Sequence, residues 1–144
     1  MKPRIIAVVN HKGGVGKTTT TLNLGKALSL HKKKVLIVDT DPQANLSQSV
    51  GVEEPPKNIY HALVEGEKLP IEQVAKGLHL VPADLDLSGA EVKLITEVNG
   101  YFKLRNALNT VAKDYDYILI DCPPSLGILT RSEERRVGKE CRSR

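Results

Sequence analysis

A segment near the start of the chain combines glycines, lysines and threonines in a pattern suited to binding phosphate. It reads Lys-Gly-Gly-Val-Gly-Lys-Thr-Thr over residues 12–19 and lies between an apolar run and a segment of helix-forming residues. Glycines let successive backbone N–H groups turn toward phosphate oxygens, and a following helix adds the positive end of its dipole. Lys17 would reach the β- and γ-phosphates of a nucleotide. The Thr18 hydroxyl would join a Mg²⁺ shell that phosphate oxygens and waters complete.

This loop departs from the strict Gly-x4-Gly-Lys-Ser/Thr pattern. The first glycine would fall on residue 11, which is His11, and an additional lysine, Lys12, follows it. A tight turn with fortuitous lysines is the alternative, but the position between a predicted strand and a predicted helix favours a phosphate site. The predicted nucleotide-binding residues are Lys12, Gly13, Gly14, Val15, Gly16, Lys17, Thr18 and Thr19.

Three aspartates follow apolar runs further along the chain. Asp39 and Asp41 belong to Asp-Thr-Asp-Pro-Gln-Ala-Asn, and Asp121 follows Tyr-Ile-Leu-Ile. Phosphoryl transfer to water needs an attacking water that is held in line with the bond to be broken. We assign the positioning of this water to Asp41. Asp121 would hold a water of the Mg²⁺ shell, and Asp39 would lie near the metal, so the predicted metal residues are Thr18, Asp39 and Asp121. The alternative for Asp39 and Asp41 is that they only cap a turn, since Asp-Pro initiates turns.

Hydrophobic patterning predicts the elements that position these residues. Short apolar runs predict strands at residues 5–9, 35–38, 78–82 and 117–120, and longer periodic segments predict helices at 18–30, 59–64, 90–98 and 101–113. We expect the first strand to be buried on both faces and the first helix to bury Leu24, Ala27 and Leu28.

Strands that alternate with helices predict an α/β fold with a mainly parallel sheet and right-handed crossovers. Ligands of such sheets bind at the carboxyl ends of the strands. Residues 10–18, 39–41 and 121 all fall at such ends, so we expect them to form one site. Cys122 shows no nucleophile motif and is expected to pack behind that site.

The composition excludes several classes of protein. Of the 144 residues, 40% are hydrophobic and 26% are charged, which is typical of a soluble globular domain and excludes a disordered chain. No apolar window is long enough to span a membrane, and the first residues lack the layout of a signal peptide, so we expect a cytoplasmic protein without a membrane partner. Two cysteines cannot build a disulfide framework or a four-ligand metal site.

The last 14 residues differ from the rest of the chain. Residues 131–144 hold six Lys/Arg and three Asp/Glu, so residues 1–130 hold the remaining 15 and 14 and have a net charge of +1. With ordinary codons, the segment that begins Arg-Ser-Glu-Glu-Arg-Arg back-translates to a sequence resembling a short-read sequencing adapter. We therefore expect 1–130 to be the N-terminal part of a domain and 131–144 to be a non-native tail. A basic arm that binds nucleic acid is the alternative.

Four segments together resemble the ParA/Soj partition ATPases of the wider ParA/MinD superfamily. They are the loop at 12–21, Val-Asp-Thr-Asp-Pro-Gln-Ala-Asn at 38–45, the stretch at 80–91, and Tyr-Ile-Leu-Ile-Asp-Cys-Pro-Pro-Ser-Leu-Gly at 117–127. The resemblance covers residues 4–130. It implies a P-loop NTPase, a three-layer sandwich with a mainly parallel sheet, truncated here after the Walker B strand that ends at Asp121.

The resemblance also implies a function. The chain would belong to an ATPase that uses ATP and Mg²⁺, forms a homodimer on ATP, binds DNA non-specifically and segregates chromosomes or plasmids on the nucleoid. A centromere-binding protein of the ParB type would stimulate hydrolysis. Lys12 would be the signature lysine that reaches the partner's nucleotide, which makes Lys12 and Asp41 the predicted catalytic residues.

Three alternatives remain open from the sequence. A MinD-like, membrane-associated cell-division ATPase would be distinguished by a C-terminal amphipathic helix. A reductase similar to the nitrogenase iron protein would need cysteine ligands for its cluster, and residues 1–130 offer only Cys122. The third alternative is an inactive truncated fragment that binds nucleotide weakly.

Overall fold

The computed structural model of the chain describes residues 2–10, 12–85, 87 and 102–124. Strands and helices alternate through most of these residues, as the sequence predicts. The elements are β1 (Arg4–Val8), α1 (Lys17–Leu30), β2 (Val35–Asp39), α2 (Asn45–Ser49), α3 (Ile59–Val64), β3 (Glu72–Ala75), β4 (Leu78–Val81), α4 (Lys103–Val111), a 3₁₀ turn (Ala112–Asp114) and β5 (Tyr117–Asp121).

The five strands form one sheet in the order β1-β5-β2-β4-β3. β1, β5, β2 and β4 are parallel to their neighbours, and β3 alone runs antiparallel, beside β4. The predicted mainly parallel sheet is therefore confirmed. The sequence analysis missed β3, which a short Lys76-Gly77 turn joins to β4. Gly77 adopts a positive φ of 75°, a left-handed conformation that glycine adopts without strain.

Helices cover both faces of the sheet, which gives the predicted three layers. One face presents Leu36, Val38, Ile118 and Ile120 to a core that includes residues of α3 and α4. The other presents Val35, Ile37 and Leu119 to α1 and α2. Successive residues of β2 and β5 point to opposite faces, so a continuous apolar run fills both cores.

The buried face of α1 differs from the prediction. Thr21 and Gly25 are its buried residues, and Leu28 is half-buried against the core, in agreement with the prediction, whereas Leu24 is 36% exposed and Ala27 is exposed. The reason is close approach of the helix to the sheet: a Cβ at residue 25 would lie 2.9 Å from the Ile37 Cγ2 methyl. A small residue here brings the backbone of α1 against β2, which apolar periodicity alone does not reveal.

β1 also differs from the prediction that both of its faces are buried. Ile6 is 36% exposed and Val9, just after the strand, is 43% exposed. The physical reason is position, because β1 lies at the edge of the sheet that the described residues form, with β5 on one side only.

Two helices were predicted in the later part of the chain, at residues 90–98 and 101–113. The helix predicted at 90–98 lies outside the described residues, as does the tail at 131–144. Of the helix predicted at 101–113, the structure describes residues 102–113, with α4 beginning at Lys103. Leu104 and Leu108 are buried, and Val111 is half-buried.

Candidate nucleotide-binding site

The loop between β1 and α1 is open and glycine-shaped. Gly14 and Gly16 have φ of +69° and +86°, a left-handed conformation that other residues rarely adopt. A Cβ at Gly13, Gly14 or Gly16 would meet no atom of the described residues within 4 Å, so these residues leave space beside the loop. Gly16 is the N-cap of α1, and no side chain of the described residues caps this end of the helix. The first N–H groups of α1 therefore have no side-chain acceptor in this part of the chain and can bind an anion.

Two lysines of this loop have different surroundings. The Lys17 ammonium donates a hydrogen bond to the Lys12 carbonyl oxygen at 3.1 Å, so its side chain folds back along the loop. The Lys12 backbone N–H donates to Asn10 Oδ1 at 2.9 Å, which fixes the start of the turn. The Lys12 side chain is exposed. Asn10 lies within the predicted segment 10–18, but the sequence analysis assigned it no role.

Asp121 and Thr18 meet beneath the loop. The Thr18 hydroxyl donates to Asp121 Oδ2 at 2.6 Å, although the two residues lie 103 positions apart. The other carboxylate oxygen, Oδ1, is buried and has no hydrogen-bond partner among the described residues. Burial raises the pKa of Asp121, the Thr18 hydrogen bond lowers it, and the nearby negative charge of Asp41 raises it further. A buried carboxylate oxygen without a donor can accept from a metal-bound water.

This arrangement is compatible with Mg²⁺ bound together with a nucleotide. The described residues contain no group of three or more His, Cys, Asp or Glu side chains that could hold a metal by themselves. Mg²⁺ usually keeps several waters and binds through one or two protein oxygens plus substrate phosphates. The Thr18 hydroxyl and the free Asp121 oxygen suit that mode.

Asp39 has a carboxylate that is already satisfied by the protein. It is fully buried, and its Oδ1 accepts from the Asp41 N–H at 3.1 Å. Its Oδ2 accepts from both the N–H and the hydroxyl of Ser47, at 2.9 and 2.7 Å. Burial raises the pKa of Asp39 to about 7, although these hydrogen bonds act in the opposite direction. The structure thus gives Asp39 a part in holding the loop after β2, and its predicted place beside the metal stays a prediction.

Asp41 lies in the loop that Asp39 holds, and it is partly exposed. Its Oδ1 accepts from the Gln43 N–H at 2.9 Å, and its carbonyl accepts from the Ala44 N–H. The preceding residue, Thr40, donates both its N–H and its hydroxyl to the Asp121 carbonyl, at 3.1 and 2.7 Å. The loop of Asp41 is therefore attached directly to the end of β5.

The register of the sheet brings the predicted site residues together. Asp39 pairs with Asp121 across β2 and β5, and Val8 at the end of β1 pairs with Asp121 on the other side. The phosphate loop and the three aspartates therefore share one edge, as predicted. Cys122 is 1% exposed within the apolar core, in agreement with a packing role. Sequence analysis included Thr40 only as part of the segment 39–41, without a role, and it missed Ser47, because isolated hydroxyl residues carry no pattern.

The fold and this site define a P-loop NTPase: a mainly parallel sheet between helices, with a glycine loop leading into α1 and an aspartate at the end of a neighbouring strand. A sequence model described as an AAA domain matches residues 3–133. The chain belongs to that family. No helix among the described residues has both the length and the apolar character needed to cross a membrane.

A curated relative indicates which group of P-loop NTPases the chain resembles. The chain is 46% identical over 134 residues to the chromosome partitioning protein ParA of Myxococcus xanthus, covering 88% of this chain and 47% of that protein. The predicted resemblance to partition proteins is thus confirmed. The chain spans about half the length of the curated relatives it matches.

Solved structures agree with the fold. Cobyrinic acid a,c-diamide synthase from Mycobacterium smegmatis, crystallised with an ATP analogue and magnesium, has a TM-score of 0.87 and 39% identity, covering 90% of this chain and 55% of that one. A putative plasmid partition protein from Borrelia burgdorferi B31, bound to AMPPNP, has a TM-score of 0.81 and 33% identity, covering 93% and 60%. Relatives of different names therefore share this nucleotide-binding architecture.

Proposed function

We propose that this chain is the nucleotide-binding part of a partition-type ATPase that binds ATP with Mg²⁺ and hydrolyses it. The observation that carries the proposal is the hydrogen bond between Thr18 and Asp121 beside the glycine loop. Among the described residues, no side chain caps the helix that follows this loop, and one buried oxygen of Asp121 has no donor. The identity to a ParA protein and the ATP analogue and magnesium in a similar structure support it.

Each residue of the site has a role in this proposal. The N–H groups of residues 13–19 and the Lys17 ammonium bind the phosphates, and Lys17 must first leave the Lys12 carbonyl. Thr18 and Asp121 hold Mg²⁺ and its waters. Bound Mg²⁺ would neutralise charge that develops on the phosphates. Asp41 orients the attacking water, and Asp39 fixes the loop on which Asp41 lies.

The wider biology is proposed from the relatives. The chain would dimerise on ATP, with the exposed Lys12 reaching the partner's nucleotide, and the dimer would bind DNA non-specifically in the cytoplasm, on the nucleoid. A ParB-type protein would stimulate hydrolysis and release.

We also propose that residues 131–144 are not native. Adapter-free long-read sequencing across codon 130 tests this proposal. A reading frame that continues differently supports it, and an encoded tail followed by a stop codon contradicts it.

Thr18→Ala tests the site, and Thr20→Ala is its matched control. Both residues lie in the first turns of α1, but Thr20 is exposed. Loss of the Thr18 hydroxyl should weaken ATP binding about 10-fold or more in the presence of Mg²⁺ and much less in EDTA. The reason is that the hydroxyl is proposed to bind Mg²⁺ while it donates a charge-assisted hydrogen bond to Asp121. Calorimetric titration with ATP measures both conditions.

The outcomes separate the candidates. Equal affinities for the two variants with Mg²⁺ would contradict the metal role of Thr18. Absence of ATP binding by the unmodified chain would contradict the proposed function. Binding without turnover would support the alternative of a fragment that only binds nucleotide.

A further inference from the structure

We infer that Ser47 is a positioning residue for hydrolysis, because its buried hydroxyl holds the loop that presents Asp41 to the nucleotide. The inference deepens the proposed function and rests on it. Ser47 belongs to the short helix α2, outside the phosphate loop and eight residues beyond Asp39. Its buried hydroxyl is bonded to Asp39 and Ala83, so it would act through Asp39 and Asp41.

The Ser47 hydroxyl has both of its hydrogen-bonding roles fixed. Ser47 is fully buried, and its hydroxyl donates to Asp39 Oδ2 at 2.7 Å while accepting from the Ala83 N–H at 3.0 Å. The Ser47 N–H donates to the same Asp39 oxygen at 2.9 Å. Because the hydroxyl donates its proton to Asp39 and accepts the Ala83 N–H with a lone pair, rotation of the Ser47 side chain would break both hydrogen bonds.

The carboxylate of Asp39 passes this constraint to Asp41. One oxygen is held by Ser47, and the other accepts the Asp41 N–H at 3.1 Å. On the other side of the loop, Thr40 is tied to the Asp121 carbonyl by two hydrogen bonds. The loop is therefore fixed at both ends, to β5 by Thr40 and to α2 by Ser47. Ala83, which follows β4, adds a third strand end to the same network.

Capping of α2 explains only part of this arrangement. The Asp39 carboxylate accepts the Ser47 N–H in the first turn of α2, as a capping group does, but that bond does not require the Ser47 hydroxyl. The N-cap of α2 is Ala44, in a left-handed conformation with φ of 54°, and it offers no side-chain oxygen. Ser49 in the same helix shows what an ordinary helical serine does: it is exposed, and its hydroxyl donates to the Asn45 carbonyl one turn earlier. Ser47 instead bridges three separate segments of the chain.

Ser47→Ala, with Ser49→Ala as its matched control, tests the inference. The assay measures kcat and KM for Mg·ATP in the 144-residue chain, or in the whole product if the reading frame proves longer, at a temperature where circular dichroism shows every variant folded. We expect Ser47→Ala to lower kcat about 10- to 100-fold, as small misplacements of catalytic groups do, while KM stays within about threefold. Ser49→Ala should change neither constant by more than about twofold.

A Ser47→Ala enzyme with the kcat of the control would overturn the inference, and so would a loss that appears only in KM. If the alanine variant does not fold, Ser47→Cys replaces it, since a thiol fills the space with a weaker donor, and a several-fold loss of kcat is expected. If the unmodified protein and the Ser49→Ala control hydrolyse no ATP, the proposed function has failed, and hydrogen exchange then tests the inference alone. Faster exchange of the Asp41 and Ala83 amides in Ser47→Ala than in Ser49→Ala is expected, and equal rates overturn it.

Discussion

Replacement of Gly25 by alanine tests whether close contact between α1 and the sheet supports the site. Gly25 is buried in the middle of α1. A Cβ at this position would lie 2.9 Å from Ile37 Cγ2 and 3.3 Å from Leu78 Cδ1. Both neighbours are fully buried, and the Ile37 methyl is bonded to a branched Cβ, so it cannot move aside by simple rotation of a long side chain.

Two opposing effects set the magnitude. Alanine is favoured over glycine in a helix interior by about 1 kcal/mol. An extra methyl group in a well-packed core costs about 1 to 3 kcal/mol. We therefore expect Gly25→Ala to lower the free energy of unfolding by about 0 to 2 kcal/mol, where propensity alone predicts a gain of about 1 kcal/mol.

Asn23→Ala is the control, because Asn23 lies in the same helix and is exposed. Propensity predicts that this change stabilises the chain by up to about 0.7 kcal/mol. Urea unfolding followed by circular dichroism gives both free energies, provided that the transitions are two-state. If Gly25→Ala proves as stable as Asn23→Ala, α1 does not lie as close to β2 as described, and the explanation for its unexpected buried face is wrong.

Two further predictions concern buried hydrogen bonds. The pKa of Asp39 is raised from 3.8 to about 7, so the folded state retains a proton that the unfolded state loses, and stability should fall as pH rises from about 4 to 7. Asp39→Asn should flatten this dependence in urea unfolding across that range, and an unchanged slope would show that other groups cause it. Asn58 caps α3 by accepting the Tyr60 N–H while its own N–H donates to His61 Nδ1, so Asn58→Ala should cost about 1 kcal/mol in the same assay; a cost near zero would contradict the cap.

Sequence patterns predicted the parts of the fold that are repetitive. The strands β2 and β5 are buried on both faces, so their continuous apolar runs identified them, and the parallel arrangement placed their final aspartates at one edge. The short strand β3 was missed because Glu72-Gln-Val-Ala75 is half exposed at the edge of the sheet and shows no apolar run. The buried face of α1 was assigned wrongly for a related reason, since Gly25 packs through its lack of a side chain.

The polar network of the site was less predictable than its position. Asp39 and Asp121 could be identified because each directly follows an apolar run, and Asp41 because it lies two residues beyond Asp39. The hydrogen-bonding roles of Thr40 and Ser47 could not be predicted, since they depend on partners that folding brings from other segments. Ser47 meets Ala83, which is 36 positions away, and no spacing in the sequence indicates that contact.

Asp39 and Asp121 lie side by side in the sheet, but the fold gives their carboxylates different hydrogen-bond partners. They are partners in the sheet register, and burial raises the pKa of both. Within the part of the chain that the structure describes, Asp39 accepts three hydrogen bonds, whereas the Asp121 carboxylate accepts one and keeps a buried oxygen without a donor. Because an unsatisfied buried oxygen costs free energy in the absence of a partner, it marks the carboxylate that gains most from a ligand. The number of hydrogen-bond donors around each carboxylate, rather than its burial or its position in the strand, therefore distinguishes the two residues. Asp39 supports the loop, and Asp121 is proposed to bind the waters of the nucleotide-bound metal.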